Sequence, residues 1–143
     1  MATATKPKAK PFRLLSDESV DSRFGHDAIL AGLPFAALAR LLRQFKGSEI
    51  PLLASLGISS RTLSKRKEGG RLTVPESNRL YRIARLLELA TGLYSGSESG
   101  AIRWLNSPAR SFSRETPLQR ARTEPGARQV EQLIGRLQHG VFS

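Results

Sequence analysis

The feature that most constrains the fold is a short apolar segment followed by a glycine turn and a basic segment. Residues 50–56 are mostly apolar, Gly57 follows them, and residues 59–67 read Ser-Ser-Arg-Thr-Leu-Ser-Lys-Arg-Lys. Glycine lets two helices meet at a sharp angle, which is the layout of a helix-turn-helix motif. Five of the eleven residues from Arg61 to Arg71 are Lys or Arg, and one is acidic. The segment therefore predicts a cationic second helix that faces nucleic acid phosphates.

The second helix of this motif has a usable polar face if Leu63 is its inward residue. Arg61 and Lys65 then lie roughly opposite Leu63. Arginine can pair with guanine, hydroxyls suit phosphates or bases, and further cations can hold the DNA backbone. The residues predicted to contact DNA are Ser59, Ser60, Arg61, Thr62, Lys65, Arg66, Lys67 and Arg71. One short reading helix covers few base pairs, so we expect a homodimer on a two-fold site.

The overall composition supports a basic globular chain. With 143 residues, 39% apolar residues and a formal charge of +11, it can bury one core or two small helical units and attracts polyanions at low salt. The longest uncharged run in the apolar region, residues 28–39, is too short to span a membrane, and the basic start is not followed by an apolar signal core. We therefore expect a cytoplasmic protein without a membrane partner.

The residues that enzymes need are largely missing from this sequence. Cysteine is absent, and His26 and His139 are separated by most of the chain, so neither a nucleophilic pair nor a metal-binding cluster is indicated. Gly69-Gly70 follows a helical segment instead of opening one, and no P-loop is completed. The twelve acidic residues show no acid/base pairing. We expect no catalytic residues, no metal and no cofactor.

Helical periodicity recurs along the remaining chain, and no useful stretch alternates in the manner of a strand. Helices are predicted over 33–45 and 49–56, with Ser48 as a possible cap of the second. Thr73-Val74-Pro75-Glu76 has the form of a capping box and predicts a long helix after it. Short helices are predicted over 101–105 and from Thr116, and a last helix opens at Thr123 and ends at Gly140. The predicted fold class is all-α.

Composition divides the chain into three predicted parts. Residues 1–24 are expected to form a basic flexible arm, either a solvated tail or a source of further phosphate contacts. Residues 92–100 are rich in Ser and Gly, which marks either a domain boundary or only a loop between helices. We expect a helix-turn-helix DNA-binding domain over 25–92 and a small helical domain over 97–143.

In the C-terminal part, Trp104 and the apolar stripe of the last helix could each belong to the core or to an interface. Trp104 lies on a short helix with Ile102 and Leu105 and is either a core residue or an interface anchor. The last helix carries an apolar stripe that is either intramolecular core, a dimer surface or both. The stripe residues assigned to dimerisation are Val130, Leu133, Ile134 and Leu137.

The C-terminal third resembles the toxin-binding domain of the Xre/MbcA/ParS antitoxins, and the segment before it resembles their Xre-type helix-turn-helix. The first likeness is carried by Ala101, Trp104-Leu105, Pro108, Thr116-Pro117-Leu118, Thr123, Gly126, Val130, Leu133 and Gly140. The second is carried by Gly57-Ile58-Ser59, Arg61-Thr62-Leu63, Lys65-Arg66, Glu76-Ser77 and Arg79-Leu80. Where family members often have Leu-Gly-Gly before the Pro-Leu pair, this chain has Ser111-Phe112-Ser113-Arg114.

This resemblance implies an all-helical antitoxin that dimerises, represses its own promoter and neutralises a RES-domain toxin that degrades NAD. NAD would be the toxin's substrate, and this chain would bind no cofactor. The resemblance also implies that the C-terminal region covers the toxin's active site, with the last three residues as a plug. The residues expected to bind toxin are Trp104, Arg136, His139, Gly140, Val141, Phe142 and Ser143.

Two other functions remain open at the level of sequence. A stand-alone helix-turn-helix transcriptional regulator would use the C-terminal helices for dimerisation or an effector, and it would have no toxin partner. A general nucleoid-type protein would bind by charge, so its affinity would barely distinguish promoter from random DNA.

Overall fold

The structure is a computed structural model, and it describes residues 22–140. This part of the chain folds into eight α-helices, which we number α1 to α8, and a short 3-10 turn over Arg110–Phe112. Between its helices, the described part has one isolated bridge, which pairs Pro34 with Arg71. None of its helices is long and apolar enough to cross a membrane. The helices are α1 (Ser22–Ala31), α2 (Phe35–Gln44), α3 (Glu49–Leu56), α4 (Ser60–Gly69), α5 (Val74–Leu93), α6 (Glu98–Leu105), α7 (Pro117–Arg120) and α8 (Glu124–Gln138).

The predicted all-α class is confirmed, with corrections at three helix starts. Helix α1 begins at Ser22, so the last residues of the predicted arm are helical; the rest of that arm, residues 1–21, lies outside the described part. Helix α2 begins at Phe35 and not at Leu33, because the backbone of Leu33 pairs with Leu72. Helix α6 begins at Glu98 because the hydroxyl of the preceding serine caps it.

Side-chain caps define where several helices begin. The capping box predicted at Thr73 is confirmed: its hydroxyl accepts from the Glu76 backbone N–H, and the Glu76 carboxylate accepts from the Thr73 N–H at 3.0 Å. Thr116 and Gln119 form a second capping box before α7. Thr123 caps α8 in the predicted position, and Ser48 precedes α3 but makes no side-chain cap bond. These local bonds satisfy backbone donors that a helix start leaves unpaired.

Helix α5 is the centre of the fold, and it serves both halves of the chain. It packs against α1 and α3 on one side and against α6 and α8 on the other. The buried apolar residues form one cluster that runs from Leu33 to Ile134. Residues 92–100, the predicted boundary, hold the end of α5, a short turn and the start of α6. The buried cluster continues across this segment, so the two expected domains pack against each other through one core.

Three polar bonds join the helix-turn-helix half to the C-terminal half. The buried Ser55 hydroxyl on α3 donates to the Leu118 carbonyl on α7 at 3.2 Å. The Gln44 amide on α2 donates to the Glu98 carboxylate at 3.2 Å. Arg85 on α5 pairs with Glu131 on α8 at 3.0 Å between Nε and Oε2. The first of these bonds fixes α3 directly against the C-terminal half.

Candidate nucleic-acid interface and partner-binding unit

The turn between α3 and α4 requires a glycine. Gly57 ends α3 in the left-handed conformation, with φ at +70°, and a Cβ there would approach the Arg79 guanidinium to 3.2 Å. Arg79 Nε donates to the carbonyl of Leu56 at 2.7 Å, so it satisfies one of the last carbonyls of α3. Ile58 is buried directly after the turn. The role of Arg79 was missed from sequence, because the cap comes from α5 and not from a neighbouring residue.

Helix α4 lies on the surface and buries none of its residues. Leu63 is half-buried and packs against the core, while Arg61 and Lys65 are exposed, which is the orientation predicted from helical spacing. Ser60 and Lys67 are also exposed. Ser60, Arg61, Ser64 and Lys65 therefore share the outward side of α4 opposite Leu63, which we call the reading face. Lys67 is exposed but lies four residues after Leu63, to the side of this face.

The start of α4 is held by its own side chains. The Ser59 hydroxyl accepts from the Thr62 backbone N–H at 3.2 Å and bonds the Thr62 hydroxyl at 3.1 Å. Ser59 is exposed and Thr62 half-buried, so both predicted DNA contacts also stabilise the helix that would carry the contact.

Arg66 lies off the reading face, because Glu76 on α5 holds its guanidinium. Arg66 Nε and Nη2 donate to the two Glu76 carboxylate oxygens at 2.8 and 3.1 Å. The Glu76 side chain is only 8% exposed and that of Arg66 is 26% exposed. Arg66 therefore makes an ion pair within the protein, and its predicted contact with the DNA backbone stays a prediction.

The ion pair with Arg66 changes the pKa of Glu76. Burial raises the pKa of this carboxyl group, but the bonds from Arg66 and Thr73 outweigh burial, and the net pKa is lowered. The same side-chain bond raises the pKa of Arg66. Both groups are therefore charged at neutral pH, and the pair links α4 to the first turn of α5.

Arg71 also has a structural role that the sequence did not indicate. Its guanidinium donates to the Gly32 carbonyl, at the end of α1. Beside it, Phe35 N–H donates to the Gly70 carbonyl at 2.8 Å, and Leu72 N–H donates to the Leu33 carbonyl at 2.9 Å. These bonds tie the end of α4 to the start of α2. Arg71 is exposed and bonded to Gly32, and its predicted contact with the DNA backbone stays a prediction.

The residues predicted to bind toxin differ in how exposed they are. Trp104 is half-buried and packs against the core, so part of its ring remains at the surface. Arg136, His139 and Gly140 are exposed at the end of α8, with φ of Gly140 at +76°. The predicted plug, Val141-Phe142-Ser143, lies outside the described residues.

The apolar stripe of α8 belongs to the core of the single chain. Val130, Leu133 and Ile134 are each at most 4% exposed, and only Leu137 is partly exposed. These three side chains are therefore covered by the chain's own helices, since α8 packs against α5 and α7, and their assignment to dimerisation stays a prediction. The most exposed large apolar side chains of the described part are Ile50 on α3 and Leu30 on α1, which sequence patterns did not single out.

The described part of the chain was compared with the requirements of a metal site and of a ligand cavity. No three His, Asp or Glu side chains within residues 22–140 lie close enough together to hold a metal ion. One depression, of about 170 Å³, lies between α5 and α8 and is lined by charged groups that include Arg82 and Glu124. Burial lowers the pKa of Arg82, and Glu124 opposes that effect.

Comparison with known proteins identifies both halves. Residues 25–85 match the family described as Antitoxin Xre-like helix-turn-helix domain, and residues 89–140 match the Antitoxin Xre/MbcA/ParS C-terminal toxin-binding domain. These two matches define a helix-turn-helix protein with an appended toxin-binding domain.

Curated relatives extend this result over most of the chain. It is 41% identical over 93 residues to Antitoxin Xre of Yersinia enterocolitica, a match that covers 64% of this chain and 63% of that protein. It is 34% identical over 113 residues to Antitoxin Xre of Photorhabdus laumondii, covering 78% and 76%. A match to Antitoxin Xre of Pseudomonas putida, also 34% identical, covers 80% and 71%. The chain belongs to the Xre/MbcA/ParS family of type II antitoxins.

Proposed function

We propose that this chain neutralises a cognate RES-domain toxin that degrades NAD, by covering the toxin's active site, and that it represses its own promoter. The proposal is supported by one observation: the exposed cationic reading face and the part that matches a toxin-binding domain are packed around the same buried core. Neither toxin neutralisation nor promoter repression requires the chain to catalyse a reaction, so we propose no enzymatic function and no cofactor.

DNA binding is supported by the charge and exposure of α4. Arg61, Lys65 and Lys67 are exposed, and no carboxylate of the described residues pairs with any of them. An exposed helix with free cations can enter the major groove, while the Ser59 cap keeps its start rigid. We propose that Ser60 and Arg61 face bases or phosphates and that Lys65 and Lys67 hold the backbone.

Toxin binding is supported by the exposed end of α8 and by Trp104. Arg136 lies in the last turn of that helix, His139 is its C-cap residue, and Gly140 follows. Residues 141–143 add an apolar pair to this end, and we propose that they enter the toxin's active site. Half-buried Trp104 supplies a rigid aromatic surface of the kind that anchors protein interfaces.

We propose a homodimer, since operators of helix-turn-helix proteins are commonly two-fold. Since three of the four stripe residues of α8 are buried in the chain's own core, we propose that surface groups such as Ile50, which is 82% exposed, supply that interface. A dimer through this part of the chain would pair the two DNA-binding halves.

The proposal is tested by producing the chain together with the RES-domain protein encoded by the adjacent gene. We expect a stable complex on co-purification, restored growth, and restored cellular NAD relative to the toxin alone. The same preparation should bind its promoter fragment far more tightly than random DNA of equal length. Without the complex, a stand-alone regulator would be the better description; without promoter preference, charge-driven binding would be.

A further inference from the structure

The loop between α6 and α7 holds two neighbouring residues in a conformation that L-amino acids disfavour. Ser113 has φ at +53° and Arg114 has φ at +73°, and neither is glycine. The left-handed region brings Cβ against the backbone, so asparagine or glycine normally occupies it. Such strain persists only where the surrounding structure fixes it, and it concentrates at functional positions.

This loop is closed by its own hydrogen bonds and anchored by one buried ring. Arg114 N–H donates to the Ala109 carbonyl at 3.0 Å, and Ala109 N–H donates to the Glu115 carbonyl at 2.9 Å. Phe112 is 4% exposed, and the Arg120 guanidinium lies 5.1 Å from the centre of its ring. The backbone that presents Arg114 is therefore rigid before any partner arrives.

The loop presents positive charge that the chain itself does not neutralise. Arg110 and Arg114 are exposed, and no carboxylate of the described residues pairs with either. Glu115, the nearest acidic residue in sequence, is shared by Arg120 and Arg122 at 3.4 Å each. A surface arginine needed only for solubility could occupy any unstrained position. Keeping arginine at a left-handed position therefore points to a contact outside the chain.

We infer that Arg114, with Arg110 beside it, forms a preorganised cationic contact for an acidic surface of the toxin. The inference rests on the proposed function, and the loop lies within residues 89–140, which match a toxin-binding domain. A guanidinium can bind a carboxylate through two parallel hydrogen bonds. A rigid loop makes such a contact without first losing conformational freedom.

The test separates backbone strain from charge with three variants of the full chain. Arg114→Gly removes both the strain and the charge, Ser113→Gly removes strain alone, and Arg114→Lys keeps charge and strain. Each variant is titrated against the catalytically inactive RES-domain protein by calorimetry, and its thermal unfolding is recorded. A titration against the promoter fragment runs in parallel.

Both glycine variants should unfold about 3 °C higher than the wild type, because glycine accepts a positive φ. Arg114→Gly should lose toxin affinity by about tenfold or more. Arg114→Lys should lose less, because it keeps the charge but not the two parallel hydrogen bonds, and Ser113→Gly should bind toxin like the wild type. Promoter affinity should remain unchanged in all three variants.

Wild-type toxin affinity in Arg114→Gly would overturn the inference and leave the proposed function intact. A loss of promoter affinity in place of toxin affinity would also overturn it, and would assign the loop to DNA. A wild-type chain that fails to bind the RES-domain protein would overturn the proposed function, and this inference with it.

Discussion

The Arg66–Glu76 ion pair is the main side-chain link between the reading helix and the body of the protein, and Glu76→Gln tests it. Glutamine is nearly the same shape, and its amide oxygen can still accept the Thr73 N–H that completes the capping box. Its amide nitrogen, however, would face Arg66 Nη2, so two donors would meet where a carboxylate oxygen now accepts at 3.1 Å. The amide oxygen could also still accept from Arg66 Nε, which now donates to the same carboxylate oxygen at 2.8 Å. The substitution therefore removes the charge and one of the two bonds, which weakens the link, and it leaves the helix cap.

The expected magnitude follows from the burial of Glu76. The Glu76 side chain is 8% exposed, so water competes little for its carboxylate. Arg66 is more exposed, and the solvent around it screens the ion pair and weakens it. Losing the carboxylate charge should destabilise the fold by about 1–2 kcal/mol and lower the melting temperature by about 5 °C. Because DNA binding requires α4 in its docked position, promoter affinity should also fall, by at most the same free energy, which corresponds to about 5- to 30-fold.

Fluorescence anisotropy with labelled promoter DNA over a range of salt concentrations measures this effect. Because the lost bond is internal, the slope of log affinity against log salt should stay unchanged in Glu76→Gln. Glu68→Gln is the matched control, since Glu68 is an exposed acidic residue on the same helix; its melting temperature should not change, and its DNA affinity should not decrease.

Acid titration gives a second measure of the same pair. The pKa of Glu76 is lowered in the folded chain, so its ionised form contributes stability above the ordinary carboxyl pKa. That contribution is lost as pH falls through the folded pKa, and Glu76→Gln should lose less stability over this range than the wild type. Wild-type melting temperature and DNA affinity in Glu76→Gln would refute the reasoning. If Arg66→Gln instead reduced the slope of log DNA affinity against log salt by about one, Arg66 would be a phosphate contact.

Three further predictions concern the other surfaces. Replacing Arg61 and Lys65 together with Ala should weaken promoter binding and reduce the salt slope by about two, and an unchanged slope would remove both from the interface. Deleting residues 141–143 should leave promoter affinity intact and relieve toxin inhibition; full inhibition would exclude the plug. Gly126→Ala should destabilise the fold by more than about 2 kcal/mol, because its Cβ would lie 1.8 Å from a backbone carbonyl oxygen. Gly135→Ala, where nothing lies within 4 Å, should stabilise α8 by about 0.5 kcal/mol, and thermal unfolding distinguishes the two.

The shared core bears on how the two activities coexist. Helix α5 supplies buried residues to both halves, and the Ser55–Leu118 bond joins α3 to α7. A fragment that ends after α5 would expose the surface now covered by α6 and α8. We therefore expect one cooperative unfolding transition for the chain, in place of two separate ones.

Local sequence patterns determined the helices and most of their ends. Apolar spacing gave α2, α3, α5 and α8, and threonine followed by proline marked the starts of α5, α7 and α8. Helical spacing also placed Arg61 and Lys65 opposite Leu63. Such features are predictable because they depend on residues within one or two turns of each other.

The partners of individual side chains were decided only by the tertiary structure. The capping box at Thr73 was visible in the sequence, but the second role of Glu76 required α4 to lie against α5. The stripe of α8 was equally compatible with a core and with a dimer surface until α5 covered Val130 and Ile134. Periodicity shows which face of a helix is apolar, but only the packing of distant helices determines what covers that face and which charges remain free.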